Sequence, residues 1–322
     1  MRRFEIQSGD ADRRADKFLL QVCPKLPKSA VYKAFRNKKI KRNGKKCTFD
    51  EILKVGDTIE IWLKDDDFGT LDFSSVSEVL PFLAPAYETP SFLIYDKPTG
   101  VAVQSSSNDK LKDLTTIAGN WFCSVYGKPE NGFLPAPCHR LDANTSGLVV
   151  FAKTPAAARV FFRMQQEGKI QKKYLALCVG IPKKAEDRLH WHWGKDEKNN
   201  KVFVRPTPFG GSKPIDTSYR LLEKNDEFSL LEVTLGTGRS HQIRAQLAAI
   251  GIPILGDKKY GNTTANKKYH VFYQCLTAHR LVFDVKPDDL SVANELAGQI
   301  FIAKLPKEFT KYFPNADQQP KE

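Results

Sequence analysis

The stretch that decides the fold is "HRLDANTSGLVVFAKT", residues 139–154. Its apolar run "LVVFA" is uninterrupted, which is typical of a strand that is buried on both faces. Directly before it lies a polar loop, "HRLDANTSG", with two basic side chains and a single acid, Asp142. A stiff buried strand can hold a reactive side chain in a fixed position. The stretch therefore predicts a buried strand with a candidate catalytic carboxylate just before its N-terminal end.

The segments around it alternate strands with a few helices. Thr154 can cap a helix, Pro155 suits its first position, and Gly168 suits its end. Strands are predicted over "SFLIYD", "KKYLALCVG", "SYRLLEK" and "FSLLEVTL". "TGRSHQIRAQLAAIG" predicts a turn followed by a helix that ends at Gly251. This part of the chain is thus predicted to be an α+β domain, built on a mixed, largely antiparallel sheet with flanking helices.

Length and composition set the broad class. The chain has 322 residues, of which 41% are hydrophobic and 11% aromatic, enough for two globular domains. No run reaches the about 18 to 20 apolar residues of a membrane helix. The charged N-terminus, "MRRFEIQSGDADRRADK", lacks the apolar region of a secretory signal. These features predict a cytoplasmic protein that does not associate with membranes.

Cysteine and histidine positions argue against a metal site. The six cysteines are scattered without two-residue spacing, which predicts reduced structural thiols. In "HWHW", His190 and His192 share one face of a strand but have no third ligand. The sequence also has no glycine-rich loop of the kind that cradles a dinucleotide or phosphate. We therefore expect no metal and no cofactor.

The charge balance predicts an acidic partner. Fifty Lys and Arg against 37 Asp and Glu give a net charge of +13, and the sequence pI is about 9.3. Nucleic acid is the commonest partner of such a chain. The stretch 28–46, "KSAVYKAFRNKKIKRNGKK", contains nine basic residues and no acidic one. A solvated helix face is the alternative explanation for such a run.

The basic stretch has its own predicted architecture. Apolar residues recur at helical spacing before it, and Ser29 is a plausible N-cap of a second helix that turns Lys33 and Arg36 outward. "IKRNGKK" predicts a hairpin whose turn, Asn43 and Gly44, supplies positive backbone dihedral angles. "VGDTIEIWL" predicts a turn and a closing strand. The first 66 residues are therefore predicted to form a small α/β domain.

Composition also marks the boundaries between domains. From residue 64 to 90 the chain becomes acidic, then rich in serine, then punctuated by proline, which predicts a linker. The predicted organisation is a basic domain over 1–66, a linker over 67–88, a catalytic domain over 89–314 and a disordered tail over 315–322. "KPTGVAV" follows the first strand of the catalytic domain and predicts a turn.

Three side chains could meet at one end of the sheet. They are Asp142, Tyr174 at the opening of a strand, and Arg244, which shares a helix face with His241. An arginine beside a carboxylate depresses the carboxyl pKa, which suits a nucleophile or a base better than an acid. Paired charges of this kind are also often only structural.

Five ordered blocks resemble the RluA family of RNA pseudouridine synthases. They are "KPTGVAV", "HRLDANTSGLVVFAKT", "KKYLAL", "TGRSHQIRAQ" and "GIPILGDKKYG", and the resemblance covers about residues 89–313. The two helices, hairpin and strand before them resemble an S-four-like RNA-binding domain. That arrangement is similar to the branch of the family that modifies large-subunit (23S) ribosomal RNA, and the basic stretch is most similar to its RluC group.

The resemblance implies an enzyme that isomerises uridine in RNA without metal or cofactor. The bond between the sugar and the base nitrogen breaks, the uracil turns over, and its carbon 5 is joined to the same sugar carbon. Glycosidases ordinarily need two carboxylates. An isomerase that retains the leaving base and admits no water can work with one. By resemblance Asp142 is that carboxylate, and both attack on the sugar and proton abstraction remain open as its role.

The resemblance also assigns the other site residues. Arg244 pairs with Asp142, Tyr174 stacks on the target base, and Arg140 enters the RNA stack as the nucleotide is flipped out. Further substrate contacts are expected from Leu276, His139, Thr145, Arg239 and His241. Phosphate contacts, which position RNA without reading its sequence, are expected from Ser29, Lys33, Arg36, Lys38, Lys39, Lys41 and Lys45.

Several alternatives remain open at the level of sequence. The chain has "LTAHRLVFDVKP", "GIPILGD" and "HQIRAQ" where the family commonly has "LHAxxLxFxHP", "GHPIxGD" and "HQIRVH", which leaves the target uridine unassigned. Large-subunit ribosomal RNA, or its precursor, is the expected substrate, and transfer RNA is the alternative within the family. A non-catalytic RNA-binding assembly factor and a hydrolase with His241 as general base are the rivals outside it. A monomer is expected.

Overall fold

The computed structural model describes residues 1–7, 10–23, 26–63, 83–105, 113–129, 132–196, 201–285 and 292–316. Most of the predicted linker and the last six residues lie outside these ranges. Inside them, packing extends beyond two predicted boundaries. Tyr87–Glu88 already pairs with the strand Phe92–Lys97 of the large sheet, and Ala316 is fully buried at the other end of the chain. None of the described helices combines the length and apolar character needed to span a membrane.

The strands are numbered in chain order. They are β1 (Arg2–Glu5), β2 (Ile40–Arg42), β3 (Lys45–Lys46), β4 (Thr58–Ile61), β5 (Tyr87–Glu88), β6 (Phe92–Lys97), β7 (Ala136–Pro137), β8 (Ser146–Ala152), β9 (Ile170–Val179), β10 (Glu186–Asp196), β11 (Lys201–Arg205), β12 (Lys213–Lys224), β13 (Phe228–Leu235), β14 (Leu276–Phe283) and β15 (Ile300–Ile302). The helices are α1 (Ala15–Val22), α2 (Lys28–Arg36), α3 (Leu114–Tyr126), α4 (Pro155–Gln166), α5 (Gln242–Ala249), α6 (Thr263–Tyr269) and α7 (Lys307–Tyr312), with a 3₁₀ helix at Val292–Leu296.

The N-terminal unit is a four-stranded sheet, in the order β1-β4-β2-β3, packed against α1 and α2. Val31 and Phe35 are buried on the inner face of α2, while Lys33 and Arg36 are exposed, as predicted. The prediction that Ser29 caps α2 is wrong. Pro27 is the N-cap, because its extended backbone leads straight into a helix that begins one residue before Ser29.

The hairpin in the basic stretch forms as predicted. Asn43 and Gly44 have φ angles of 49° and 74°, the paired positive values of a tight turn between β2 and β3. The side-chain amide of Asn43 donates to Asp57, and its side-chain oxygen accepts from the backbone N–H of Thr58. These bonds fix the turn to β4.

The second unit, predicted from the sequence as the catalytic domain, is built on an eleven-stranded sheet. Its path is β11-β10-β12-β13-β9-β14-β8-β6-β5, with β15 added to β14 and β7 added to β8. Every described pair is antiparallel except β8 with β14, which run parallel. The predicted mixed, largely antiparallel sheet is therefore confirmed.

Both faces of the sheet are covered, which explains the uninterrupted apolar run in β8. Successive side chains of a strand point to opposite faces. Val149 and Phe151 pack under α3, α5, α6 and α7, whereas Leu148 and Val150 pack under α4 and the 3₁₀ helix. Thr154 caps α4 by accepting from the backbone N–H of Ala157. The reading of "LVVFA" as a fully buried strand and of the next segment as a helix is confirmed.

Candidate active site

The loop that carries Asp142, residues 139–145 and called the Asp142 loop below, ends where β8 and β14 begin side by side. Gly147 in β8 has a φ of 104°, and a Cβ added there would lie 2.3 Å from the carbonyl oxygen of Ala278 in β14. Only glycine allows this approach, because any side chain would meet backbone. The close contact brings the Asp142 loop and Leu276, the first residue of β14, to the same edge of the sheet.

Asp142 and Arg244 meet at that edge, as predicted. The Arg244 Nη1 donates to Asp142 Oδ2 at 2.7 Å, across 102 positions of sequence. The Asp142 side chain is 28% exposed and that of Arg244 is 9% exposed. Among the described residues, Asp142 Oδ1 has no hydrogen-bond partner. One oxygen of the carboxylate is thus held by the protein, and Asp142 lines the inner pocket.

Arg244 is itself held by a second carboxylate, Asp257, in the segment after α5. The Arg244 Nε and Nη2 donate to Asp257 Oδ2 and Oδ1 at 2.7 and 2.9 Å. Asp257 also accepts from the backbone N–H groups of Lys259 and Tyr260. Burial opposes its charge, but these bonds and Arg244 hold the pKa of Asp257 below its ordinary value. A fork of this kind fixes the guanidinium plane.

Tyr174 lies in β9 beside the same pocket, at an irregularity of the sheet. Leu175 pairs with Thr277 and Lys173 with Arg280, so two residues of β14 face Tyr174 alone. A bulge of this kind re-aims side chains and is common next to active sites. The ring is 7% exposed. Burial, reinforced by the Asp142 charge, raises the pKa of Tyr174, so the phenol keeps its proton at neutral pH.

A buried lysine and a buried threonine fix the Asp142 loop. The ammonium of Lys97 donates to the carbonyl oxygens of Pro98, Val101 and Ala143, the residue after Asp142. Burial lowers the pKa of Lys97 to about 7, and the Asp142 carboxylate opposes that shift. The Thr145 hydroxyl accepts from Gln274 at 2.7 Å and is buried. Since its oxygen is engaged within the protein, Thr145 holds the loop.

His139 lines the wider cleft beside Arg140, and its imidazole also has contacts within the protein. Its Nε2 accepts from the backbone N–H of Val150 at 3.2 Å, and its ring stacks on Phe161 with centroids 6.0 Å apart. Burial lowers the pKa of His139 well below its ordinary value, and Lys172 adds to the shift. The ring is turned towards the β8 backbone because a neutral imidazole satisfies a donor there. His139 therefore supports the loop from beneath.

His241 lies between Asp142 and Tyr260, at the N-terminal end of α5. Its Nε2 is 3.9 Å from Asp142 Oδ2, and its Nδ1 is 2.9 Å from the Tyr260 hydroxyl. Burial lowers the pKa of His241; Asp142 opposes this shift, and Arg244 adds to it. The imidazole is therefore neutral near pH 7.

These residues form a pocket of about 80 Å³ that opens into a cleft of about 940 Å³. Leu276 and Tyr174 line the inner pocket, and the exposed side chains of Arg140 and Arg239 line both spaces. Among the described residues, Asp142 is the only carboxylate on the walls of either space. Basic side chains in the cleft are Arg140, Lys172, Lys195 and Arg239. The cleft suits a polyanion with one reacting group at its base.

No cluster that could hold a metal ion occurs in the described ranges. In the "HWHW" stretch, His190 Nδ1 lies 3.3 Å from the Asp216 carboxylate on the neighbouring strand, and the Trp193 indole donates to the carbonyl of Ser240. The stretch thus forms contacts within the sheet and with the turn before α5.

The predicted RNA contacts of the N-terminal unit lie on α2 and the hairpin. Ser29 is on the first turn of α2, and Lys41 places its ammonium 5.7 Å from the centroid of the Trp62 ring. The remaining members of the set are exposed side chains: Lys33, Arg36, Lys38, Lys39 and Lys45. None of them pairs with a carboxylate in the part of the chain that the structure describes.

Comparison with known proteins identifies the family. A family model described as RNA pseudouridylate synthase matches residues 91–249. The ribosomal large subunit pseudouridine synthase C of Vibrio parahaemolyticus is 30% identical over 80% of this chain and 79% of that protein. The chain belongs to the RluA family of RNA pseudouridine synthases. It is accordingly an isomerase that acts on RNA.

Other relatives agree with this assignment. An RNA pseudouridine synthase of Mycoplasma pneumoniae, named as uncharacterized, is 29% identical over 87% of this chain and 88% of its own length. Human RNA pseudouridylate synthase domain containing 4 superposes with a TM-score of 0.57 at 19% identity, covering 76% of this chain and 95% of that one. The predicted pseudouridine synthase fold is confirmed.

Sequence reasoning missed three residues of the site: Lys97, Asp257 and Tyr260. All three lie in blocks that carry the family resemblance: Lys97 is the first residue of "KPTGVAV", and Asp257 and Tyr260 lie in "GIPILGDKKYG". Their roles depend on contacts across 46, 13 and 19 positions, with Ala143, Arg244 and His241. Spacing along the chain does not indicate such contacts.

Proposed function

We propose that this synthase isomerises uridines in large-subunit ribosomal RNA and that Asp142 is its one catalytic carboxylate. The observation that carries the proposal is that Asp142 alone supplies an acid to the described walls of the pocket and cleft. Asp257, the other acid that binds Arg244, is 1% exposed and bound on both oxygens by it. A hydrolase with a second, water-activating carboxylate is disfavoured by this arrangement.

The reaction needs one carboxylate because no atoms are gained or lost. The bond from the sugar carbon to N1 of uracil breaks, and the bond from that carbon to C5 forms. The proton leaves C5 and N1 carries a proton in the product. With Oδ2 held by Arg244, Asp142 Oδ1 is the atom that faces the sugar. It serves either as nucleophile at the sugar carbon or as base at its neighbour.

The target nucleotide must leave its stack to reach Asp142. The inner pocket lies at the base of the wider cleft, and enzymes that work on a base inside such a pocket extrude the nucleotide at a cost of a few kcal/mol. We propose that Tyr174 stacks on the flipped uracil and that Leu276 packs beside it. The exposed Arg140 at the rim would fill the space that the base leaves in the RNA.

The ribosomal target rests on two features. One relative is named ribosomal large subunit pseudouridine synthase C, and the similarity spans most of both chains. The N-terminal unit, residues 1–66, offers exposed cations that suit the phosphates of a large folded RNA. We propose that it is an S-four-like RNA-binding domain, joined by the linker 67–88 to a catalytic domain over 89–314. Since one chain supplies all the described pocket walls, a monomer suffices.

The experiment uses cellular RNA whose uridines carry tritium at carbon 5. Isomerisation releases tritium to water and leaves the base attached, whereas a hydrolase releases free uracil, and a non-catalytic binding protein releases neither. We expect tritium from large-subunit ribosomal RNA without free uracil. Sequencing pseudouridines in cells with and without the protein separates ribosomal from transfer RNA. Tritium release from transfer RNA alone would contradict the ribosomal assignment.

A further inference from the structure

His241 has an unusual backbone for its size. Its φ and ψ angles are 54° and 18°, the left-handed region, although it is not glycine. Such conformations cost free energy and cluster at functional sites. The conformation directs the ring across the start of α5, between the carboxylate of Asp142 and the hydroxyl of Tyr260. Neither nitrogen has a role in the reaction as proposed above.

The hydrogen bonds of Tyr260 decide which ring nitrogen carries the proton. The Tyr260 oxygen accepts from the backbone N–H of Val202 in β11 at 2.8 Å, and a backbone amide has no other role than donor. The phenol has one hydrogen of its own, and Nδ1 of His241 lies 2.9 Å away. Burial raises the pKa of Tyr260, so the phenol is protonated. Its hydrogen is therefore donated to Nδ1, and Nε2 carries the imidazole proton.

The charges around the ring determine its protonation. Asp142 and Asp257 favour the imidazolium, while Arg244 and Lys259 oppose it. Burial is the largest influence, and the pKa of His241 is lowered overall. The resulting neutral ring places its Nε2–H group 3.9 Å from Asp142 Oδ2, the oxygen that already accepts from Arg244. At this distance the N–H acts on the carboxylate as a dipole and not as a hydrogen-bond donor.

We propose that Tyr260 is a positioning residue that locks His241 as the neutral Nε2–H tautomer, so that an uncharged N–H dipole faces the held oxygen of the reacting carboxylate from 3.9 Å. The opposite tautomer would point a lone pair at Asp142 and repel it. The imidazolium would add a second cation beside Arg244 and weaken the carboxylate as nucleophile or base. The orienting N–H comes from backbone, in the edge strand β11, so the tautomer depends on the docking of that strand.

This inference rests on the proposed role of Asp142, but its direct test does not. The full-length protein labelled with ¹⁵N-histidine reports the tautomer of each ring by nuclear magnetic resonance, and a His241→Asn variant assigns the signal. We expect His241 to show a protonated Nε2 and an unprotonated Nδ1, and Tyr260→Phe to give a mixture of tautomers. A protonated Nδ1 in the wild type, or an unchanged Nε2–H tautomer in Tyr260→Phe, would overturn the proposal.

The kinetic arm measures single-turnover tritium release against pH. Loss of the bond to Nδ1 removes a stabiliser of the neutral ring, so the His241 pKa rises in Tyr260→Phe. We expect the variant to be slower by about threefold at pH 8 and by about tenfold or more at pH 6. Tyr219→Phe is the matched control, since that hydroxyl contacts only the Lys184 carbonyl. Parallel pH profiles for wild type and Tyr260→Phe would contradict the positioning role.

The two arms separate this inference from the function on which it rests. If Asp142→Asn retains full activity, the proposed function fails while the tautomer measurement stands on its own. If Asp142→Asn is inactive and the tautomer is not the one expected, only the role of Tyr260 fails.

Discussion

The active site and the N-terminal unit both present positive charge, but they hold it in opposite ways. Arg244 is 9% exposed, and its three guanidinium nitrogens donate to the carboxylates of Asp142 and Asp257. Lys33 and Arg36 project from α2 into solvent. A buried guanidinium bound on several nitrogens fixes the position of the carboxylate oxygen that it contacts. Exposed, flexible cations instead create a positive potential that attracts phosphates in many different arrangements.

This difference indicates what each region does to RNA. Around Asp142 a displacement of about 1 Å is enough to spoil a reaction geometry. Each phosphate contact that we propose for the N-terminal unit would add affinity with little demand on position. Single substitutions should therefore be enough to impair the site, whereas RNA binding by the N-terminal unit should fall clearly only when several basic residues are replaced together.

The largest effect is expected from Asp257→Asn, which leaves Arg244 buried with an incomplete partner. Breaking a buried pair in this way costs about 3–5 kcal/mol in the free energy of unfolding. Urea denaturation measures the loss, and tritium release should fall with it because Arg244 no longer aligns Asp142. Asp12→Asn is the control, since Asp12 and its partner Lys54 are both 64% exposed. Equal midpoints for the two variants would show that Arg244 needs no fixed partner.

Gly147→Ala tests the close approach of the β8 and β14 backbones beside the site. The new Cβ would lie 2.3 Å from the Ala278 carbonyl oxygen at a φ of 104°. We expect a loss of about 3 kcal/mol from strain and overpacking together. Gly210→Ala is matched, because nothing lies within 4 Å of a Cβ there. A Gly147 variant as stable as the Gly210 variant would contradict the close approach.

Removing charge from the N-terminal unit should have a distributed effect. Replacing Lys33, Arg36 and Lys41 together by Gln should reduce the slope of log affinity against log salt by about 2 to 3, and affinity by about 10- to 100-fold. The single-turnover rate at saturating RNA should be unchanged. Filter binding at several salt concentrations measures the slope.

The control for that experiment replaces three exposed lysines of the catalytic domain: Lys183, Lys224 and Lys307. A drop in slope as large as that of the N-terminal variant would mean that the whole surface, and not the N-terminal unit, supplies the phosphate contacts.

The smallest effect is expected from the pH dependence of stability. Folded His139 has a pKa well below 6.5 because its ring is buried, while the unfolded chain binds a proton near pH 6.5. The unfolded state therefore gains protons as pH falls, and stability falls with it. Between pH 7 and pH 5 the wild type should lose about 1–2 kcal/mol more than His139→Gln. Parallel stability curves would show that His139 charges freely in the folded state.

The sequence was sufficient where local chemistry decides structure. The apolar run of β8, the Thr154 cap and the turn at Asn43 and Gly44 depend on residues within a few positions of each other. The meeting of Asp142 with Arg244 was inferred from family resemblance and is present in the structure.

Non-local contacts were not predictable in the same way. Asp257 accepts hydrogen bonds from Arg244 only because the segment after α5 folds back towards that helix. The Lys97 ammonium donates to the carbonyl oxygen of Ala143, which is 46 positions away in the sequence. The bond from the backbone N–H of Val150 to His139 Nε2 was likewise not predicted from the sequence. Pro27, and not Ser29 as predicted, is the N-cap of α2, because the helix begins at Lys28.

The most direct test of the central claim is Asp142→Asn, assayed for tritium release and RNA binding in the same preparation. The substitution keeps the size of the side chain and removes the charge that a nucleophile or base needs. We expect single-turnover release to fall by about a thousandfold or more while the dissociation constant changes by less than about threefold. Release within tenfold of the wild type, with binding intact, would show that Asp142 is not the catalytic carboxylate.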